Sequence, residues 1–395
     1  MTEGARDACI TGIGIVSCLG EGPEAHWQKL VAGEINVDEK TYAPFLVHPI
    51  AALALDKQIP KKGDQRQMEM WQRIGVYAAG LALEAAAIKG DNEILARTDM
   101  IVAAGGGERD LAADSAILSA LPAAANPDAL LNEKLMSDIR PTLFLAQLSN
   151  LLAGNISIVH NVTGSSRTFM GEEACGVDAV RTAVARINAG QSDIVLVGGS
   201  YNGERKDNLL LYEFGHALQR GAFKPVWERG PDGGMAFGSL GAFLVVESRS
   251  HALKRGAKVL AKIVSVLSDR ARSTDSAADV LGRMWSKIAG RLRNGESAII
   301  SGATGVGSRT SAERIFLSGH KDLPVRATGT HIGHGLEAQF PMNLAIAALA
   351  LGRGKLFPPR DGSGFERAMD GRLTQVVVTS VGARRGEGLA LVEAA

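Results

Sequence analysis

The sequence has few cysteines, no excess of charge and no long apolar run. Its three cysteines, Cys9, Cys18 and Cys175, share no metal-type spacing. Their number is odd, and the N-terminus does not resemble a signal peptide. We therefore expect free thiols in a reducing cytoplasm. The formal net charge is +1, which gives no field for attracting nucleic acid or an anionic membrane. No run of about 18 apolar residues is present, so we expect no membrane span.

Short apolar runs that end in glycine alternate with helical patterns along the whole chain. Strands are predicted at 8–20, 99–108, 155–162, 193–199, 241–247, 258–269, 297–307 and, as a pair, 375–394; helices are predicted at 66–88, 174–189, 278–292 and 340–354. Such alternation predicts an α/β fold with a mostly parallel sheet covered by helices. The alternation of predicted strands and helices repeats after about residue 249, so we expect two tightly packed halves, 1–249 and 250–395.

The glycine loops do not match a nucleotide-binding motif. The segment GATGVG at 302–307 follows a predicted strand, but it lacks the G-x-G-x-x-G order, and the chain has no G-K-[ST] phosphate loop. We therefore interpret these glycines as tight turns between strands and helices, and we expect neither a nucleotide cofactor nor a metal.

Several separated segments resemble the beta-ketoacyl-ACP synthases of the elongating type. They are ITGIGIVSCLG, QRQMEMWQRIGVYAAGLALEAA, the stretch from GNISI to DIVLVGG, PDGGMAFGSLGAFLVVESRSHALKRGAKVLAKI and GTHIGHGLEAQFPMNLAIAALAL. The resemblance implies the thiolase-like fold, a duplicated five-layered αβαβα structure, and a dimer. It also implies an acyltransferase of fatty acid or polyketide synthesis that meets acyl carrier protein.

The resemblance implies a mechanism as well. In the family, a cysteine at the N-terminus of a buried helix takes an acyl chain from acyl carrier protein, and the helix dipole favours its thiolate. Two histidines, supported by a lysine, promote decarboxylation of malonyl-ACP. Backbone N–H groups at the cysteine and at a phenylalanine in a C-terminal glycine-rich turn form the oxyanion hole.

The family's cysteine position falls on a glutamate in this chain. Counting back from Gly190 and forward from Gly164 by the family's spacings gives Glu173 in both cases. Cys175 follows two positions later, about 200° further around a helix, so it would point away from the direction of residue 173. We expect Cys175 to be a small buried side chain rather than the nucleophile.

The other functional positions of the family are mostly changed too. The resemblance places the first histidine at Gly302, the lysine at Gly329 and the gate phenylalanine at Ala383, while the second histidine is retained as His334. Glu337 stands among the small residues that usually follow this histidine. These changes indicate that condensing activity is lost in the isolated chain.

Two interpretations of Glu173 remain open. The carboxylate could simply stabilise the helix N-terminus, a contribution of roughly 0.3–1 kcal/mol. Alternatively it could imitate the acylated state, much as the chain-length factors of aromatic polyketide synthesis carry a glutamine at this position. A negative Glu173 fits malonate decarboxylation less well, because it would repel the carboxylate and the developing enolate.

Three functions follow from the resemblance. The first is a non-condensing partner or chain-length subunit of an active synthase, as a homodimer or as a heterodimer with that synthase. The second is an active acyltransferase or malonyl-ACP decarboxylase that uses His334 and Glu173, and the third is an acyl or ACP-binding protein. Because acyl carrier protein is acidic, Lys61, Lys62 and Arg66 are candidate contacts for it. Acyl chain length and pathway stay open.

Overall fold

The computed structural model describes residues 4–139, 143–144, 147–272 and 276–395. The strands are β1 Ala8–Ser17, β2 Gly20–Glu21, β3 Val47–His48, β4 Asp99–Ala104, β5 Ser166–Met170, β6 Ile194–Tyr201, β7 Phe237–Gly238, β8 Leu240–Ser248, β9 Ala261–Asp269, β10 Ser297–Ser301, β11 Val325–Ala327, β12 Gln375–Val381 and β13 Glu387–Ala394. The α-helices are α1 Gly22–Ala32, α2 Lys62–Gln67, α3 Met70–Ala85, α4 Asn92–Leu95, α5 Leu111–Ala120, α6 Pro127–Ser137, α7 Leu151–His160, α8 Glu173–Asn188, α9 Lys206–Glu213, α10 Arg249–Lys254, α11 Ala277–Trp285, α12 Gly307–Ser318, α13 Gly329–Ile332 and α14 Gln339–Arg353.

The strand order repeats between the two halves of the chain. The main path runs β5-β4-β6-β8-β1 and continues, through the pairing of β1 with β9, as β9-β13-β12-β10-β11. Within each half, the main strands numbered in chain order follow the sequence 3-2-4-5-1. Both halves of the sheet therefore have the same strand order, as a duplicated fold requires. The boundary at residue 249 stays a prediction.

Helices cover the two halves of the sheet and also fill the space between them. Helix α3 packs on β1, β8 and β6, and α11 and α12 pack on strands of the second half. Helices α8 and α14 contact each other and strands of both halves, and their apolar side chains belong to one core cluster. The result is five layers, as expected for the thiolase-like fold.

A glycine in β1 lets the outer helix approach the sheet. A Cβ atom at Gly14 would lie 2.0 Å from the carbonyl oxygen of Ala78 in α3, far inside van der Waals contact. The glycine-rich start of the sequence is therefore required for close packing of strand and helix.

Three predictions about the elements need correction. The sheet is mixed rather than mostly parallel, because β8 and β13 pair antiparallel with all of their neighbours. Residues 155–162 do not form a strand, since 151–160 form helix α7 with Leu152, Ile156 and His160 buried at helical spacing. The long helix predicted at 66–88 is divided into α2 and α3.

Within the described ranges, no helix has the length and apolar character needed to cross a membrane.

Candidate functional site

The N-terminus of α8 places Glu173 in the interior of the protein. Glu173 is the first residue of the helix and is 1% exposed. It lies where the turn after β12 and the loop that carries His334 meet the positive end of the helix dipole. Hydrogen-bond donors reach one oxygen of this buried carboxylate, whereas its Oε2 has no hydrogen-bond partner among the described residues.

Two donors converge on one oxygen of Glu173. Its Oε1 accepts a hydrogen bond from the backbone N–H of Ala383 at 3.0 Å and lies 2.7 Å from Nε2 of His334. Because an ionised carboxylate only accepts, Nε2 of His334 carries the proton in this contact. Burial raises the pKa of Glu173, but these hydrogen bonds and the charge of His334 outweigh it, so the pKa lies below its ordinary value.

The C-terminal turn is held rigidly against the start of α8. Gly382 donates its N–H to the carbonyl of Gly386 at 2.8 Å, and its own carbonyl accepts from Nε of Arg309 at 2.8 Å. A Cβ atom at Gly382 would lie 2.3 Å from the carbonyl oxygen of Arg385 and 3.1 Å from Oε2 of Glu173. The turn can therefore present the Ala383 N–H only with glycine at 382.

Gly302 lies at the end of β10 in closely packed surroundings. A Cβ atom there would lie 2.8 Å from the carbonyl oxygen of Thr379 and 3.4 Å from Nδ2 of Asn343. The neighbouring Glu313 accepts hydrogen bonds from the hydroxyls of Ser301 and Thr379, and burial raises its pKa. No side chain at 302 supplies a donor in this part of the site.

Gly329 begins helix α13 and lies beside the same loop as Gly302. A Cβ atom at Gly329 would lie 3.2 Å from Cγ2 of Val226 and 3.3 Å from the carbonyl oxygen of Ala303. The structure therefore places His334 and Ala383 each in contact with Glu173, whereas Gly302 follows β10 and Gly329 begins α13.

Cys175 is the third residue of α8 and is buried. It is 5% exposed, and its Sγ donates to the carbonyl of Gly171 at 3.4 Å. Burial, together with the charges of Glu337 and Glu173, raises its pKa well above the ordinary value. This thiol is protonated at neutral pH, so it lacks the thiolate character of a nucleophile.

Glu337 is a functional candidate that the sequence analysis noted without assigning it a role. Its side chain is 4% exposed, burial raises its pKa to about 8, and its Oε2 has no hydrogen-bond partner in the described ranges. A Cβ atom at Gly105 would lie 2.3 Å from Oε1 of Glu337, so glycine at 105 makes room for this carboxyl. In the sequence, the only indication of Glu337 is that a glutamate stands among the small residues that usually follow the family's second histidine.

The basic candidates for carrier-protein contact lie on the surface, at and just before α2. Lys61, Lys62 and Arg66 are exposed, and Lys62 pairs with Asp56 at 2.6 Å. They form no contact with Glu173 or His334. Arg384 lies nearer the site, with its guanidinium 3.7 Å from the carboxylate of Glu172. Across the described part of the chain, no group of three or more His, Cys, Asp or Glu side chains could hold a metal ion.

Known proteins are similar to this chain along nearly its whole length. The 3-oxoacyl-[acyl-carrier-protein] synthase 2 of Vibrio harveyi is 24% identical over 372 residues, covering 88% of this chain and 86% of that protein. The ishigamide ketosynthase/chain length factor has a TM-score of 0.79 at 20% identity, covering 99% of each chain. A ketosynthase solved with a type II acyl-carrier protein has a TM-score of 0.73 at 17% identity, again covering 99% of each chain.

These structural likenesses establish the thiolase-like fold, and the sequence matches agree with it. The family model described as "Beta-ketoacyl synthase, N-terminal domain" matches residues 5–252, which is more than half of the chain. The chain therefore belongs to the beta-ketoacyl synthase family.

Proposed function

We propose that this chain is a non-condensing beta-ketoacyl synthase that acts as a partner or chain-length subunit of an active synthase in fatty acid or related acyl synthesis. The observation that carries the proposal is the position of the Glu173 carboxylate. Its Oε1 accepts from the Ala383 N–H and from His334 Nε2. At the corresponding positions, the family uses such donors to stabilise the oxygen of an acyl intermediate.

The carboxylate thus fills a site that an acyl thioester would otherwise occupy. A glutamate carboxylate has no sulfur and cannot form a thioester. If its oxygen attacked an acyl-ACP, the ACP thiolate would leave and the product would be a mixed anhydride, which hydrolyses. Gly302 offers no donor to a malonyl thioester oxygen, and one such donor is worth roughly 2.7–4 kcal/mol. Loss of both the nucleophile and this donor favours a role in a complex over turnover by the isolated chain.

The similar structures support the proposed type of partner. One carries the name ketosynthase/chain length factor, and another was solved as a ketosynthase in complex with its acyl-carrier protein. We extend both features to this chain as proposals: a homodimer or heterodimer with an active synthase, and contact with acyl carrier protein through Lys61, Lys62 and Arg66.

A second function is favoured by one specific contact. The pair formed by Glu173 and His334, at 2.7 Å, has the geometry of an acid–base dyad, which would suit an acyltransferase or decarboxylase. The ionised Glu173 opposes decarboxylation, since it would repel a malonyl carboxylate. A third possibility, acyl or ACP binding without catalysis, shares the site but requires no partner synthase.

The three functions are separated by one set of assays. Purified protein is incubated with acyl-ACP and malonyl-ACP, alone and with a synthase that has the complete Cys-His-His set. We expect no turnover alone, complex formation with the synthase, and a changed product length distribution. Turnover by the isolated chain would support the second function instead, and binding of acyl-ACP without any effect on the synthase would support the third.

Matched variants test the surface contact with the carrier protein. The double variant Lys61→Glu, Arg66→Glu should weaken ACP binding, measured by titration at low salt. The double variant Lys254→Glu, Lys258→Glu, which makes the same change of charge at exposed positions in and just after α10, serves as the control for the charge alone. Equal losses in the two proteins would show that the effect of charge is not local to α2.

A further inference from the structure

A buried ion pair contacts the turn that presents the Ala383 N–H. Arg309, in the first turn of α12, is 3% exposed, and its guanidinium pairs with the carboxylate of Glu387, which begins β13 and is 1% exposed. The family resemblance assigns no role to either residue. A buried ion pair is by itself weak evidence of stability, because desolvation of the two charges offsets their attraction. The pair therefore matters chiefly for the groups that it holds in place.

The pair connects three segments that are distant in the sequence. Arg309 donates from Nε to the carbonyl of Gly382 at 2.8 Å and from Nη2 to Oε1 of Glu387. The other oxygen of Glu387 accepts from the backbone N–H of Ala271 at 2.6 Å. Helix α12, the hairpin of β12 and β13, and the loop after β9 therefore meet at one guanidinium and one carboxylate.

On its outer side the turn is held only weakly. Arg384 and Arg385 are exposed, and the pairing of Arg384 with Glu172 at 3.7 Å joins two partly exposed side chains. Ion pairs of this kind contribute little. The N–H of Gly382 donates to the carbonyl of Gly386, which ties the two ends of the turn to each other but not to α8. The inner contacts therefore decide how the turn is oriented towards the site.

The hydrogen bond from Arg309 controls the direction of the Ala383 N–H. The carbonyl of Gly382 and the N–H of Ala383 belong to one peptide unit, which is planar and trans, so the two groups point in opposite directions. Arg309 holds the oxygen at 2.8 Å, and Oε1 of Glu173 accepts from the N–H at 3.0 Å. A rotation of this peptide unit would turn the N–H away from Glu173 and would break both hydrogen bonds.

We propose that Arg309 and Glu387 are positioning residues, which fix the peptide between Gly382 and Ala383 in the orientation that keeps its N–H on Glu173. Arg309 holds the peptide oxygen, and Glu387 holds Arg309. The inference rests on the proposed function and deepens it, because a fixed peptide keeps this donor engaged by the protein's own carboxylate. The test uses the isolated protein without acyl-ACP or synthase. Its failure would therefore leave the partner role standing, and loss of the partner role would not alter its result.

The test measures hydrogen exchange of the Ala383 amide by NMR spectroscopy, together with Tm. Arg309→Met removes both hydrogen bonds of the guanidinium and keeps a long side chain. We expect the Ala383 amide to exchange about tenfold faster, as for the loss of one hydrogen bond, and Tm to fall because Glu387 is left as an unpaired buried charge. Arg255→Met is the matched control, since it breaks another ion pair with a buried carboxylate, Glu247 of β8. The control should lower Tm but leave the exchange of Ala383 unchanged.

A double variant separates positioning from stability and keeps the test valid if Arg309→Met alone fails to fold. Arg309→Met with Glu387→Leu removes both charges, and such a replacement of a buried pair is often neutral for stability. We expect Tm to recover while the Ala383 amide still exchanges about tenfold faster. The pKa of Glu173, measured by NMR titration of its carboxyl carbon, should rise by about one unit, because the carboxylate loses a hydrogen bond. Unchanged exchange of Ala383 in the double variant, equally fast exchange in Arg255→Met, or an unchanged pKa of Glu173 would each overturn the proposal.

Discussion

Replacing Glu337 by glutamine should make the stability of the protein less dependent on pH. Burial is the main cause that raises the pKa of Glu337 from 4.5 to about 8, and the charge of Glu173 adds to it. A carboxyl with a raised pKa stabilises the folded state fully below its unfolded pKa, and this contribution is lost as the pH rises towards the folded pKa. At about 1.4 kcal/mol per pH unit, the difference corresponds to about 5 kcal/mol between pH 4.5 and pH 8.

The experiment measures the free energy of unfolding by urea titration of both proteins between pH 5.5 and pH 8.5. Glutamine cannot ionise, while every other titrating group is shared, so the difference between the two curves isolates Glu337. We expect the Gln variant to gain about 3 kcal/mol relative to the unchanged protein across this range. A constant difference between the two proteins would show that Glu337 ionises normally and would refute the assignment of a neutral carboxyl.

Three further predictions concern the site around Glu173. Purified protein incubated with acyl-ACP should show no isolable adduct by mass spectrometry; an adduct on Cys175 would contradict its buried, protonated thiol. Glu173→Cys should be acylated but should condense malonyl-ACP about 10²–10³-fold more slowly than an ordinary synthase, because Gly302 supplies no donor. Adding Gly302→His and Gly329→Lys should raise the rate of condensation. Full activity of the single variant would refute this explanation. Gly302→His should lower Tm more than Gly329→Lys, since a Cβ atom at 302 lies 2.8 Å from the Thr379 carbonyl and one at 329 meets nothing closer than 3.2 Å; equal shifts in Tm would contradict this ranking.

The errors in the sequence-based fold have identifiable causes. An apolar run such as 241–247 shows that a strand is buried on both faces, but it carries no information on the direction of its neighbours. The alternation at 155–162 is too short to distinguish a strand from a helix, because it leaves out Leu152, whose spacing to Ile156 and His160 is that of a helix.

The sequence by itself determined the family and the identity of the residue at the helix N-terminus. Strand and helix patterns, glycine positions and the spacings that lead to Glu173 are properties of short segments, so they can be read without the fold. The resemblance likewise leads to the expectation that Gly302 and Gly329 stand where the family has a histidine and a lysine.

Only the tertiary structure decided what those residues do to one another. The bonds from His334 and Ala383 to Glu173 join residues 161 and 210 positions apart, and no local pattern encodes such contacts. The raised pKa of Glu337 likewise arises from burial by distant segments and from the nearby charge of Glu173. Electrostatic interactions and desolvation depend on distances in space, and for this site those distances exist only once the two halves have packed around α8 and α14.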